Sequence, residues 1–201
     1  MKTLKMYASS VNDKFLDQIV ESLEEGNLII YPTDTLYAIG CDALDNKAIQ
    51  SICRLKGINP DKQTLSIVAS DISMASDYAR IDNKAFDILR RNTPGSFTFL
   101  LPSSPSLPRV FKGRRIVGIR IPDNAIATAI VSRLGHPILS TTISPDEDAE
   151  YQDPQHFIDA YANDVDLIVD GGEGGVIPST VVDLIDSSSP EIIRQGKGEL
   201  L

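Results

Sequence analysis

The sequence predicts a single α/β domain over residues 1–201, built on a twisted sheet that mixes parallel and antiparallel strands. Three observations carry this. Segments with helical periodicity alternate with short apolar runs through the first two thirds of the chain, the pattern of a partly parallel sheet. Several strand-like runs then crowd the last third, which makes the sheet mixed. The composition, 42% hydrophobic and 23% charged over 201 residues, is ordinary for a globular protein with a sizeable core.

Taken in order, Asn12 to Glu25 puts Phe15, Leu16, Ile19, Val20 and Leu23 at helical spacing before a stop at Gly26. Leu28 to Tyr31 is a buried strand ended by Pro32. Asn46 to Lys56 is a helix with Ala48, Ile49, Ile52, Cys53 and Leu55 inward, closed by Gly57. Leu65 to Ala69 is a strand, followed by helices over Ile72 to Tyr78 and Asn83 to Arg91. Pro94-Gly95 is a turn, and Ser96 to Leu101 a strand. Pro102 to Pro108 resembles a linker in composition but is too short to separate domains. Ile116 to Ile121 is a strand, Ala125 to Leu134 a helix and Pro137 to Thr142 a strand. After an acidic, turn-rich stretch from Pro145 to Asp153 comes a helix from Pro154 to Ala162. Leu167 to Val169, Thr180 to Leu184 and Glu191 to Arg194 are the closing strands.

Several function classes are excluded early. No apolar run approaches the ~20 residues that span a bilayer, and Met1 to Ser10 lacks an apolar signal-peptide core, so the cytoplasm is the expected location and no membrane partner is expected. Cys41 and Cys53 match no metal spacing and read as small buried side chains, and His136 and His156 stand apart from both, so no metal site is expected. There is no P-loop, no GxGxxG, no nucleophile elbow and no Cys–His pair. The net charge of −9 opposes nucleic acid, but its distribution is uneven. From Ile88 to Pro122 there is no acidic residue, while Arg90, Arg91, Arg109, Lys112, Arg114, Arg115 and Arg120 supply seven cations. A local cationic patch in an acidic chain suits a small polyanion in a cleft, or a solvated loop of scattered arginines.

Ligands of α/β sheets sit beside strand ends, and four polar clusters lie there. The first is Pro32-Thr33-Asp34-Thr35-Leu36-Tyr37, expected to precede a helix, where Asp34 could simply bond its own turn. The second is Arg54-Leu55-Lys56-Gly57, cations at a helix C-terminus that could also meet phosphate. The third is Ser140-Thr141-Thr142-Ile143-Ser144. The fourth is Gly171-Gly172-Glu173-Gly174-Gly175 with Pro178-Ser179-Thr180-Val181-Val182-Asp183, whose glycines could present amides to an anion. These residues alone define a polar anion pocket.

In order, the segments resemble the YrdC/YciO family. Tyr31 to Gly40 resembles its PTDT-x-YGLG segment, Thr93 to Thr98 its W-P-G-P-L-T, and Val117 to Pro122 its V-x-x-R-x-P. Pro178 to Leu184 resembles STVVDL, and Ile193 to Gly196 L-R-x-G. The likeness spans roughly Leu16 to Gly198. It implies helices and a mixed sheet around a large concave cationic cavity, and threonylcarbamoyl-adenylate synthesis from threonine, bicarbonate and ATP with Mg²⁺, a step in tRNA adenosine modification. By that resemblance Thr35, Tyr37, Thr141, Thr142, Ser179 and Thr180 hold the amino-acid part, and Ser144 and Arg194 the nucleotide. Arg120 joins the former on the amino-acid part, Lys56 sits near the phosphates, and these two are the expected catalytic residues. Expected partners are thus a nucleotide and an amino acid, with double-stranded RNA or tRNA as the alternative ligand. Two departures mark the YciO-type branch. The family's Lys-x-Arg reads Lys56-Gly57-Ile58, and its Ser-x-Asn reads Thr142-Ile143-Ser144. Loss of that arginine removes a permanent charge and a two-pronged donor, so altered or weakened activity is expected.

Overall fold

Helix starts in this chain share one device. In the computed structural model, which describes residues 1–111, 113 and 115–201, five helices begin behind an Asn or Asp whose side chain accepts a first-turn amide. These are α1 (Asp13–Glu24) behind Asn12, α2 (Asn46–Leu55) behind Asp45, and α3 (Ile72–Tyr78) behind Asp71. Likewise α4 (Asn83–Asn92) follows Asp82 and α5 (Ala125–Leu134) follows Asn124, while α6 (Gln155–Ala160) has no such cap. Gly26 after α1 and Gly135 after α5 have φ of +84° and +80°, the left-handed conformation that ends a helix most easily without a Cβ.

The strands are β1 (Lys2–Lys5), β2 (Ile29–Tyr31), β3 (Ala38–Asp42), β4 (Ser66–Val68), β5 (Phe97–Pro102), β6 (Ile116–Arg120), β7 (Ile138–Thr142), β8 (Leu167–Asp170), β9 (Thr180–Asp183) and β10 (Glu191–Arg194). They form one sheet in the order β1-β8-β2-β3-β7-β4-β6-β5-β9-β10. Pairings β1/β8, β2/β8, β4/β6 and β5/β9 are parallel; β2/β3, β3/β7, β4/β7, β5/β6 and β9/β10 are antiparallel. The expected mixed α/β sheet is therefore observed.

Two strands differ from the sequence expectation. Thr33 to Tyr37 leads into β3, not into a helix, so β2 and β3 form a hairpin. The Ala-Ile-Gly-Cys-Asp run of β3 shows no alternation, and its Gly40 is there for close packing: a Cβ would lie 2.7 Å from Ile138 Cγ2 and 2.8 Å from Tyr31 Cε1. β1 carries no strand signal in the sequence, because in Lys-Thr-Leu-Lys only Leu4 is buried. The linker-like Pro102 to Pro108 is no linker, since Pro102 ends β5 and Leu107 is buried.

The two sheet faces are covered unequally. On one face α2, α3, α4 and α6 pack through residues such as Ile49, Ile52, Leu89 and Phe157 onto Ile30, Ile39, Ile67, Phe99, Ile119 and Val182. On the other, α1 and α5 cover Ile29, Tyr31, Ala38, Val68, Ile138 and Val169, and no residue of β5, β6, β9 or β10 belongs to that cluster. The hydrophobic layer on this second face thus stops short of β5, β6, β9 and β10. Ile130 of α5 is fully buried in the second cluster. Ile130→Ala should cost about 2–5 kcal/mol by urea unfolding, because the neighbours close only some of the cavity left behind. No helix among the described residues is long and apolar enough to cross a membrane.

Candidate functional site

Strand register decides what the sheet displays beyond that layer, because directly opposed residues and residues two apart on a strand share a face. Ser66 opposes both Ser140 and Gly118, and Gly118 opposes Leu100. Thr98 opposes Val181, and Val181 opposes Arg194 across an irregular register in β10. Arg120 lies two residues along β6 from Gly118. These side chains line a cavity of about 300 Å³, together with Thr141, Thr142, Ser179 and Ile58. Gly118 lets Ser66 and Thr98 pack close together there: a Cβ on it would come within 2.3 Å of Ser66 Oγ and 3.1 Å of Thr98 Cγ2.

Arg120 organises the cavity. It is 3% exposed, and one terminal nitrogen, Nη2, donates to Asp34 Oδ1 and to Thr35 Oγ1, both at 2.9 Å. Asp34 Oδ2 accepts from Ser96 Oγ at 2.9 Å, so the carboxylate bonds across the chain instead of to its own turn. Thr33 Oγ1 donates to Leu36 O at 2.7 Å and lies 3.1 Å from Thr35 Oγ1, which stiffens the loop. Arg120 Nε is buried and has no partner among the described residues. A buried donor left without an acceptor is costly.

Around that guanidinium the hydroxyls are prearranged. Thr98 Oγ1 and Ser179 Oγ share a hydrogen bond of 2.8 Å, and Arg194 Nη2 donates to Ser179 O at 2.7 Å. Tyr31 donates to Ser140 Oγ at 2.7 Å; burial pushes its phenol up to about 12, so it stays a donor at neutral pH.

The structure brings Arg120, Thr141, Thr142, Ser179 and Arg194 to the cavity wall, with Thr35 bonded to Arg120. The other expected site residues lie elsewhere. Tyr37 OH donates to Gly172 O at 2.6 Å and accepts from Gly171 N at 3.0 Å, with its ring edge-on to Phe157. Thr180 is fully buried and donates to Gly198 O at 2.6 Å while accepting from Gly196 N. Ser144 lines a neighbouring cavity of about 680 Å³ that also includes Asp146, Glu147, Asp148 and Glu150. Lys56 caps α2, half-buried, and burial lowers its ammonium below the ordinary lysine value; the residue reaching the cavity from this turn is Ile58.

The glycine-rich segment does not offer its amides to an anion. Gly171, Gly172, Gly174 and Gly175 donate to Tyr37 OH, Asp170 Oδ1, Gln152 O and Thr35 O. Its glycines instead allow contact with the Pro32–Tyr37 loop: a Cβ on Gly174 would lie 2.5 Å from the Tyr37 ring, and one on Gly175 would lie 2.6 Å from Thr35 O. The cationic block is likewise divided. Arg120 is buried, Arg90, Arg91, Arg109 and Arg115 are exposed, and Lys112 and Arg114 lie outside the described residues.

The site's distribution over the Pro32–Tyr37 loop, β5, β6, β7, β9 and β10 can be set against known proteins. A family model described as telomere recombination, covering Sua5, YciO and YrdC proteins, matches residues 21–196. The chain belongs to the Sua5/YciO/YrdC family. Among members of the Sua5/YciO/YrdC family, YciO of Escherichia coli K12 is 36% identical over 198 residues, covering 97% of this chain and 95% of that protein. The crystal structure of E. coli YciO has a TM-score of 0.89 over 99% of this chain and 98% of that one. The threonylcarbamoyl-AMP synthase of Bacillus subtilis 168 is 30% identical over 205 residues, 98% of this chain but 59% of the synthase. Pyrococcus abyssi Sua5, crystallised with L-threonine, is 27% identical with a TM-score of 0.85, over 98% of this chain and 58% of that one. The Sua5/YciO/YrdC domain described here thus spans somewhat more than half of these longer relatives.

Proposed function

We propose that this chain binds L-threonine and an adenine nucleotide, or the acyl-adenylate joining them, over Arg120, with threonylcarbamoyl-adenylate synthesis altered or weakened. The observation that carries this reading is the guanidinium of Arg120 in the cavity lining, buried, braced by Asp34 and Thr35, and with its buried Nε unpartnered among the described residues. A carboxylate or carbamate oxygen is the acceptor such a group lacks.

In the reaction, the amine of threonine takes up bicarbonate with loss of water, and a carbamate oxygen attacks the α-phosphorus of ATP. A P–O bond forms there, the bond to the bridging oxygen breaks, and pyrophosphate leaves. This transfer needs no protein nucleophile; it needs positioning and fixed positive charge where the phosphoryl oxygens gain charge. Arg120 and the Thr98–Ser179 hydroxyl pair hold the acyl end, and Arg194 at the rim faces the nucleotide. Among the described residues no three of His, Cys, Asp and Glu gather as metal ligands; magnesium would enter as MgATP, held by phosphate oxygens and water. Ile58 gives the wall an alkyl group where the family motif has arginine, which supports slow transfer rather than loss of binding.

The test is mass spectrometry of the protein incubated with ATP, Mg²⁺, L-threonine and bicarbonate, beside calorimetric titration of ATP and of threonine. Saturable binding of both, with little or slow product, is expected. Binding of neither by folded protein would overturn the reading. Arg194→Ala is expected to weaken ATP about tenfold, the usual worth of one charge-assisted bond, while sparing threonine.

A further inference from the structure

After β10 the chain doubles back over the start of β9. Lys197 N donates to Pro178 O at 2.9 Å and Gly196 N donates to Thr180 Oγ1 at 3.0 Å. The Lys197 backbone is therefore held beside Ser179, a residue of the cavity wall, while its side chain is exposed. Its ammonium donates to Asp34 O at 2.7 Å. Asp34 is also the residue whose carboxylate holds Arg120. Three residues earlier, Arg194 donates to Ser179 O at 2.7 Å. Two cations thus straddle Pro178–Ser179: Arg194, which lines the cavity, on a strand, and Lys197, bonded to the residue that holds Arg120, on the segment that crosses it.

The two are not equivalent. The Arg194 fork is partly committed to the Ser179 backbone. An ammonium carries three donors on a four-carbon stem, and the bond to Asp34 O engages one of them. That bond joins a charge to a neutral carbonyl in an exposed position, so leaving it for a fully charged oxygen is favourable. The carboxylate end of a ligand belongs with the buried Arg120; what remains for the rim is its phosphate.

We propose that Lys197 is a ligand-binding residue that turns from Asp34 O onto the phosphate of a nucleotide bound over Arg120, serving as the rim's second cation beside Arg194. The inference rests on the nucleotide reading above. Calorimetric titration of ATP and of L-threonine into wild type, Lys197→Met and Lys197→Arg, at low and high salt, tests it. Lys197→Met should weaken ATP about tenfold at low salt, with the gap closing at high salt as the charge is screened, while threonine affinity and melting temperature hold. Lys197→Arg should retain most of the ATP affinity. Unchanged ATP affinity in Lys197→Met would overturn the proposal. So would a joint fall in ATP affinity, threonine affinity and melting temperature, since Lys197 would then only brace Asp34. If wild type itself binds no ATP, the nucleotide reading fails first and this inference with it.

Discussion

Arg120→Ala is expected to abolish detectable threonine binding and to lower stability by about 3 kcal/mol, because it strands a carboxylate that has no other ion-pair partner among the described residues. The side chains of the Arg120–Asp34 pair are only 4% and 6% exposed, so water cannot take over the lost contact. Thr35 Oγ1 loses a donor at the same time. For a chain of this length the change should read as a fall of roughly 6–12 °C in melting temperature. A double-mutant cycle separates the two roles. Arg120→Met with Asp34→Asn removes both charges and should recover some of the stability, since no unpaired ion stays buried, yet binding should stay lost. If Arg120→Ala binds threonine as wild type does, the site has been misassigned.

Gly196→Ala is expected to cost about 2–3 kcal/mol and to weaken ATP more than tenfold, although it adds one methyl group. An added Cβ would lie 2.2 Å from Pro178 O and 2.6 Å from Ser179 C. Both are backbone atoms, so no rotamer change relieves the clash and the strand crossing must open. With it go the amide bonds that fix Lys197 and the setting of Arg194. Gly135→Ala is the matched comparison: that glycine has φ of +80° and nothing within 4 Å of an added Cβ. It should cost about 1 kcal/mol from backbone conformation alone and leave ligand affinity untouched. Urea unfolding and titration calorimetry on the pair would distinguish a steric site effect from the general cost of replacing glycine.

Local signals in the sequence were sufficient for most elements. The bounds of α3, α5 and β10 agree with their expected ranges because side-chain period and capping residues act over a few positions. The β2–β3 hairpin was not legible, since Ala38 to Asp42 is buried along nearly its whole length and so lacks the alternation of a half-exposed strand. For the site, the polar runs located the right loops but not the bonds within them. Asp34 has the local appearance of a turn residue, and only the fold brings Arg120 to it across 86 positions. Tyr37 and Thr180 look like ligand hydroxyls in sequence, yet their partners are Gly171, Gly172, Gly196 and Gly198, which nothing local announces. Leu100, Ser66 and Gly118 became site residues through strand register, a property of the assembled sheet.

The rim of the cavity is closed by residues far apart in the chain. Lys197 meets Asp34 across 163 positions, and β1 pairs with β8 by joining Lys2 to Leu167. During synthesis, the loop that carries Asp34 and Thr35 gains Ser96 and Arg120 by mid-chain, but Gly175 and Lys197 only much later. A chain arrested before Pro178 would hold much of the α1–α5 layer but would lack Ser179, Arg194 and the crossing that anchors Lys197. Binding competence should therefore arrive only once β9 and β10 are in place, and a ligand that fits the finished cavity would fasten these late strands to β4–β7.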